Sequence, residues 1–169
     1  MKDEGFFSYL ESLISHSLAC YNKRKNVLPM NLKEQQQHIL SGAMYNDLTP
    51  ELVEAREKTV FLTNCYNASF GQPASERHAI LKEVLKSVGK NAHFEPNFRC
   101  EFGYNISIGD NFYANFDCVM LDGGGIEIGD NVLFGPRVGL YTSNYALDAW
   151  ERSQGPAMPS RLRLATMSG

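Results

Sequence analysis

Between Phe94 and Leu140 the aliphatic and aromatic residues recur every six positions, a spacing that neither a helix nor a hairpin strand produces. One register runs through Phe94, Cys100, Ile106, Phe112 and Cys118, makes a step of eight, and resumes at Ile126, Val132 and Val138. A second runs beside it through Phe102, Ile108, Ala114 and Met120, takes the same step, and continues at Ile128, Phe134 and Leu140. A period of six suits a coil of three short strands, about 18 residues per turn, in which each flat face sends one or two side chains inward. The repeat ISIGDN at 106–111 and IEIGDN at 126–131 then lies about one coil apart, with the glycines at 123–125 absorbing the two extra residues. Glycine behind an inward aliphatic, then Asp-Asn at the corner, is what sharp turns with left-handed backbone require. A sandwich with glycine-rich turns is the competing architecture, and it would show period-two alternation instead.

Upstream the spacing is helical, from Thr49 to about Ser69 and from Ser75 to Val88. Thr49-Pro50-Glu51 supplies an N-cap, a proline for the first turn and an acid at the positive end of the dipole. Ile80, Leu81, Val84, Leu85 and Val88 make one stripe in the second segment, and Gly89 is placed to stop it.

Composition narrows the function. At 169 residues, 43% hydrophobic and 21% charged, the chain can bury one sizeable core. A formal net charge of −3 gives no attraction for a polyanion, so no nucleic acid is expected as partner. Cys20, Cys65, Cys100 and Cys118 lie far apart without a CxxC pair, which predicts no metal site and a reducing, cytoplasmic location. The apolar stretch FFSYLESLISHSLACY is broken by Glu11 and His16, so neither a signal peptide nor a membrane span is expected. From Phe94 to Gly169 there is no histidine, which excludes a metal-dependent coil enzyme built on histidine ligands.

The segment EPNFRCEFGYNISIGDNFYANFDCVMLD at 95–122 closely resembles the hexapeptide-repeat sugar O-acetyltransferases, the group of maltose, galactoside and nodulation-factor acetyltransferases. The likeness extends back through ILSGAMYNDLTPELVEARE, similar to that family's helical cap, and forward to about Gly155. The resemblance implies a mainly β protein, a left-handed parallel β-helix with an N-terminal α-helical cap, assembled as a homotrimer. It also implies that acetyl-CoA and a sugar hydroxyl meet in clefts between subunits. The positions matching the family's acceptor site are Asp47, Arg56, Glu101, Tyr113 and Asp122, and Asn115 matches the residue that orients the catalytic region. Each has a plainer role open to it. Asp47 can cap the turn before Thr49, Arg56 can be a solvated helix charge, Glu101 and Asp122 turn carboxylates, and Asn115 a corner residue.

Family members carry a histidine as general base on a loop reading approximately Tyr-Thr-x-x-His-Pro/Ala-Leu/Ile-Asp. Here Tyr141 to Asp148 reads YTSNYALD, so Tyr145 stands at the histidine position. A phenol titrates near pH 10 against about 6.5 for imidazole, so at neutral pH it holds its proton. The loss expected from a missing general base is roughly 10²–10⁴-fold. A tyrosinate would need an adjacent cation, and the nearest in sequence are Arg137 and Arg152. The chain's histidines, His16, His38, His78 and His93, fall in the extension, the cap and the first coil.

The expected organisation is an extension at 1–29, holding an amphipathic segment through Phe7, Leu10, Leu13 and Ile14, then a helical cap at 30–90 and coils at 91–141. A catalytic-type loop follows at 142–155 and an irregular tail at 156–169. The six-residue period is read as ending at Leu140, which predicts a truncated coil domain, an incomplete CoA cleft and marginal stability. Permitted codons for Pro159 to Gly169, read in a shifted frame, spell VTITIGDNVW, a further hexapeptide segment; a frameshift is the expected origin of the tail. Two functions follow. One is acetyl-CoA-dependent O-acetylation of a maltose- or glucose-like sugar. The other is a non-catalytic remnant that binds sugar or only assembles as a trimer.

Overall fold

The computed structural model describes residues 30–153 and 156–164; the expected N-terminal extension and its amphipathic segment lie outside the described residues. The cap opens with α1 (Leu32–Leu40), started by a capping box in which Asn31 Oδ1 accepts from Glu34 N at 3.1 Å and Glu34 Oε2 accepts from Asn31 N at 2.9 Å. A short strand β1 (Tyr45–Asn46) leads to α2 (Pro50–Ala68), with the proline at its first turn as expected. Thr49 precedes this helix, but its hydroxyl donates to Gln35 Oε1 at 2.7 Å, fastening α2 to α1 instead of capping its own helix.

The next helix is shorter than its stripe suggests. α3 (Ala74–Val84) ends where Leu85 turns extended, and Ser87–Val88 become β2, the first rung of the coil. Expectation placed the helix end at Val88 with Gly89 as its stop. The coil edge takes the backbone first, since Lys86 N donates to Gly103 O at 3.2 Å and Gly89 N to Ile108 O at 2.8 Å. Gly89 is a stacking glycine, because a Cβ there would overlap the carbonyl carbon of Gly109.

The coil is built from β3 (His93–Phe94), β4 (Arg99–Cys100), β5 (Ile106–Ile108), β6 (Tyr113–Ala114), β7 (Val119–Leu121), β8 (Ile126–Ile128), β9 (Leu133–Phe134) and β10 (Gly139–Tyr141). These strands stack in parallel as three sheets, β2-β5-β8, β3-β6-β9 and β4-β7-β10. Ser87 pairs with Ser107, His93 with Tyr113, Arg99 with Val119 and Ile106 with Ile126, so one turn is 20 residues, not 18. The inward positions in true register are Val88, Phe94, Cys100, Ile108, Ala114, Met120, Ile128, Phe134 and Leu140, with steps of six, six and eight. One step of eight is hidden in the sequence because β5 is three residues long and turns both Ile106 and Ile108 inward. Ile106 lies six from Cys100 and so preserves an apparent period of six.

The chain then leaves the coil and returns. β11 (Ser143–Tyr145), α4 (Ala149–Ser153) and β12 (Pro156–Pro159) form an excursion in which β12 pairs antiparallel with both β11 and β1. β13 (Leu162–Leu164) comes back to the coil, pairing in parallel with β8 so that Leu162 faces Ile126 and Leu164 faces Ile128. The expected end of the repeat at Leu140 and the expected irregular tail are therefore corrected for 156–164. Leu-Arg-Leu repeats the apolar-polar-apolar alternation of Ile-Ser-Ile and Ile-Glu-Ile below it, and an inserted hairpin destroys phase along the sequence without destroying it in space.

The core joins cap and coil. Tyr66, Leu81, Val84 and Leu85 pack with Phe94, Phe98, Phe112 and the inward aliphatics. Buried Arg77 seals this seam, its guanidinium 4.6 Å from the Tyr66 ring and its Nη2 donating to Phe94 O at 2.9 Å. Among the described residues no helix is long and apolar enough to cross a membrane.

Candidate functional site

Arg56, on α2, is the hub between cap and coil. Its Nε donates to Glu101 Oε1 at 3.3 Å, and its Nη2 donates to the Asp47 carbonyl and lies 3.7 Å from Asp47 Oδ2. The guanidinium also covers the Phe102 ring at 5.3 Å. It is thus no solvated helix charge. One cation serves two carboxylates, Asp47 from the turn after β1 and Glu101 from the corner after β4.

Asp122 sits behind them with 0% exposure. Its Oδ1 accepts from Glu101 N at 3.1 Å and Phe102 N at 2.8 Å, and its Oδ2 from Asn105 N at 3.3 Å. Burial pushes this carboxyl above the ordinary range, with the backbone donors opposing. Both oxygens are engaged by backbone N–H groups, and the carboxyl shapes the corner from which Glu101 hangs.

Glu101 is fixed at its backbone, N donating to Met120 O at 3.0 Å as well as to Asp122, and its side chain is 14% exposed. Oε1 meets Arg56, whereas Oε2 is closed off from water and has no hydrogen-bond partner. Burial raises the carboxyl above its ordinary 4.5; Arg56 opposes this, and Asp122 and Asp47 add to it.

Beside Glu101 opens a recess of about 80 Å³, lined among others by Tyr45, Asp47, Leu121, Ser143 and Tyr145. The Tyr45 and Ser143 hydroxyls are hydrogen-bonded at 3.3 Å. Gly123 forms part of the same corner; a Cβ there would overlap Ser143 Oγ, come within 2.8 Å of Tyr45 Oη and within 3.7 Å of Glu101 Oε2. Larger hollows exist, about 370 Å³ in the cap beside Glu51, Lys58 and Tyr104 and about 430 Å³ over the outer face of β5, β8 and β13. Neither includes the loop residue that stands at the base position, so chemistry points to the small recess.

The structure therefore brings Asp47, Arg56, Glu101 and Tyr145 together. It does not bring Tyr113 or Asn115 to them. Tyr113 is on β6, in a different sheet, its ring stacked on His93 with centroids 5.8 Å apart, and Asn115 Oδ1 accepts from Phe116 N at 2.8 Å. Tyr145 is 63% exposed. Arg137 pairs with Asp117 at 3.6 Å and Arg152 Nη1 donates to the carbonyls of Ala146 and Leu147, so neither arginine is committed to the phenol.

Tyr45, Ser143 and Gly123 were not among the expected site residues. A signal existed for two of them. Tyr45 lies two before Asp47 and Ser143 two before Tyr145, and alternate residues of an extended segment share a face. Gly123 reads from sequence only as a turn residue.

A family model described as the maltose acetyltransferase hexapeptide capping motif matches residues 38–89. Nodulation protein L of Rhizobium meliloti (strain 1021) is 36% identical over 132 residues, 78% of this chain and 72% of that protein. A crystal structure of a maltose O-acetyltransferase from Clostridium difficile 630 superposes with a TM-score of 0.72 at 39% identity, covering 78% of this chain and 69% of that one. A hexapeptide-repeat acetyltransferase from Vibrio cholerae O1 biovar eltor, solved with acetyl coenzyme A, superposes with a TM-score of 0.67 at 31% identity, covering 75% of this chain and 68% of that one.

Proposed function

The chain belongs to the hexapeptide-repeat acetyltransferases that carry the maltose acetyltransferase cap, and on that premise we propose that it transfers acetyl from acetyl-CoA to a hydroxyl of a maltose- or glucose-like sugar. The observation that carries this reading is the recess in which the cap's Asp47 and the coil's Glu101, bridged by Arg56, face Tyr145 of the loop. Sugar hydroxyls are donors as well as acceptors, and two carboxylates around one guanidinium offer both kinds of partner in a small volume. Acetyl-CoA supplies an activated thioester. Exposed Leu147 and Trp150 on the loop offer apolar surface to its arm, and Arg161 and Arg163, which share the single carboxylate Glu127, offer positive charge to its phosphates.

In the same reading the coil is left-handed and the working unit a trimer. Tyr113 and Asn115, which do not line this chain's own recess, complete the recess of a neighbouring copy. The described residues divide into the cap, the coils and the loop excursion, with β13 assigned to the coils.

The test is release of free thiol from acetyl-CoA in the presence of maltose, measured for the natural chain beside Tyr145→His. Sugar-dependent release is expected. Its absence from both proteins overturns the reading. A second reading, a binding protein without transfer, is favoured by the phenol's lack of a committed cation. Its mark is maltose binding by calorimetry with thiol release only from Tyr145→His.

A further inference from the structure

We propose that the hollow in the cap is the docking site of this chain's own segment KRKNVL, residues 23–28, with Val27 and Leu28 against its apolar wall and Lys23, Arg24 and Lys25 against its acids. The segment lies outside the described residues, and its place follows from the hollow and from where the described chain begins.

The hollow, about 370 Å³, is bounded by α1, α2, α3 and the coil corner after β4. Leu32 of α1, Leu62 of α2, and Phe102 and Tyr104 of the corner give it an apolar wall, in which Leu32 and Leu62 are only half-buried. Apolar surface left facing water is a cost that an aliphatic occupant removes. The charged lining is mainly acidic: Glu51 and Glu54 of α2 and Glu83 of α3, against the ammonium of Lys58. Glu51 Oε2 accepts from Gln35 Nε2 at 3.0 Å. Among the described residues Glu54 and Glu83 have no lysine or arginine partner. Three carboxylates against one ammonium leave this lining negative, and three consecutive cations are its complement.

The described chain begins at this rim. Gln35 is buried, and its Nε2 donates both to Met30 O, at 2.8 Å, and to Glu51, while its Oε1 accepts from the Thr49 hydroxyl. Met30 is thereby held beside a residue that lines the hollow. Leu28 is two residues away, so its Cα lies within about 8 Å of that of Met30. Pro29 disfavours helical backbone at Leu28 and so favours an extended approach. The basic run begins five residues before Met30, a reach of up to about 17 Å, more than the width of a space of this volume. Tethering at Met30 makes the docking intramolecular, so contacts too weak to hold a free peptide suffice. A filled hollow also backs the Phe102 ring, which carries the Arg56 guanidinium at 5.3 Å, so the segment clamps cap to coil beside the candidate site.

Carbodiimide coupling, which joins an amine to a carboxylate where the two touch, tests this on the full chain. A mixture of unlabelled and isotope-labelled protein, read by mass spectrometry, separates links within one chain from links between copies. Links from Lys23 or Lys25 to Glu51, Glu54 or Glu83 within one chain are expected. Val27→Asp with Leu28→Asp keeps both lysines and removes the anchors; it is expected to lower the yield of those links by about tenfold and the urea midpoint by about 0.5 M or more. Leu28→Ala, which introduces no charge, is expected to lower the yield by about threefold while the thermal melt stays cooperative, which separates undocking from unfolding. Absence of those links from the natural chain overturns the proposal. So does their appearance only between copies, which would make a second chain the occupant. An unchanged yield in the double-aspartate variant also overturns it, because charge alone would then account for the contact.

Discussion

Asp122 shows how a residue type can be legible while its role is not. An acid in a family-like position reads as an acceptor ligand, yet here its two oxygens hold three backbone N–H groups at a corner with no solvent access. Removing it strands those donors. Asp122→Ala is expected to destabilise the fold by about 3 kcal/mol or more, and Asp122→Asn by less, measured as shifts in urea midpoint. Glu101 gives a pH prediction of definite sign. Its folded carboxyl is raised by burial, so above its ordinary 4.5 the folded state binds more protons than the unfolded one. The stability this group contributes is then full below that value and is lost as pH rises through the folded pKa. In Glu101→Gln the slope of urea midpoint against pH is expected to flatten across that window; an unchanged slope would show that Glu101 does not carry it. Sequence reasoning reached Asp47, Arg56 and Glu101 individually. It had no access to the shared guanidinium or the unpartnered Oε2, which exist only once α2 is laid on the coil.

At the scale of elements, the corners carry the coil. Asn91, Asn111 and Asn131 all have positive φ, 58°, 56° and 59°, and their amides form a ladder, Asn91 Nδ2 donating to Asn111 Oδ1 and Asn111 Nδ2 to Asn131 Oδ1, each at 3.0 Å. Asparagine tolerates this backbone and links turn to turn at once. Asn111→Gly keeps the backbone and loses the ladder, an expected cost of about 1 kcal/mol for exposed bonds. Asn111→Ala also leaves a Cβ in left-handed backbone without the polar side chain by which asparagine tolerates it, and is expected to cost about 1–2 kcal/mol more than glycine. Equal urea midpoints for the two variants would mean that backbone strain is not the reason for asparagine. The Asp-Asn corners were legible because turn chemistry is local. The 20-residue turn was misread as 18 because β5 buries both Ile106 and Ile108, and the α3 boundary because Leu85 and Val88 serve helix and coil spacing alike. The start of α1 had a signal in Asn31 and Glu34, a local capping box that apolar periodicity does not reveal.

For the whole molecule, the decisive fact is that the excursion after β10 returns. β12 ties the loop strand β11 to the cap strand β1, and β13 then lays Leu162 and Leu164 over Ile126 and Ile128. This places Tyr145 beside the cap's Asp47 and the coil's Glu101 instead of leaving it on a free loop, and it covers the inward residues of β8 with another rung. No period in the sequence announces that return, since pairing at this distance is set by what the hairpin closes against and not by spacing. Gly129 N donates to Leu164 O at 2.8 Å, whereas its counterpart one turn below, Gly109 N, donates to Ile128 O at 2.9 Å. Putting a charge on the inner face of the return strand with Leu164→Asp should unseat β13 and release the first bond but not the second. Amide hydrogen exchange at Gly129 is expected to accelerate by about tenfold or more, with Gly109 changing by less than about threefold. If Gly129 already exchanges freely in the natural chain, β13 is not seated on β8, and Tyr145 loses the support that brings it to Glu101.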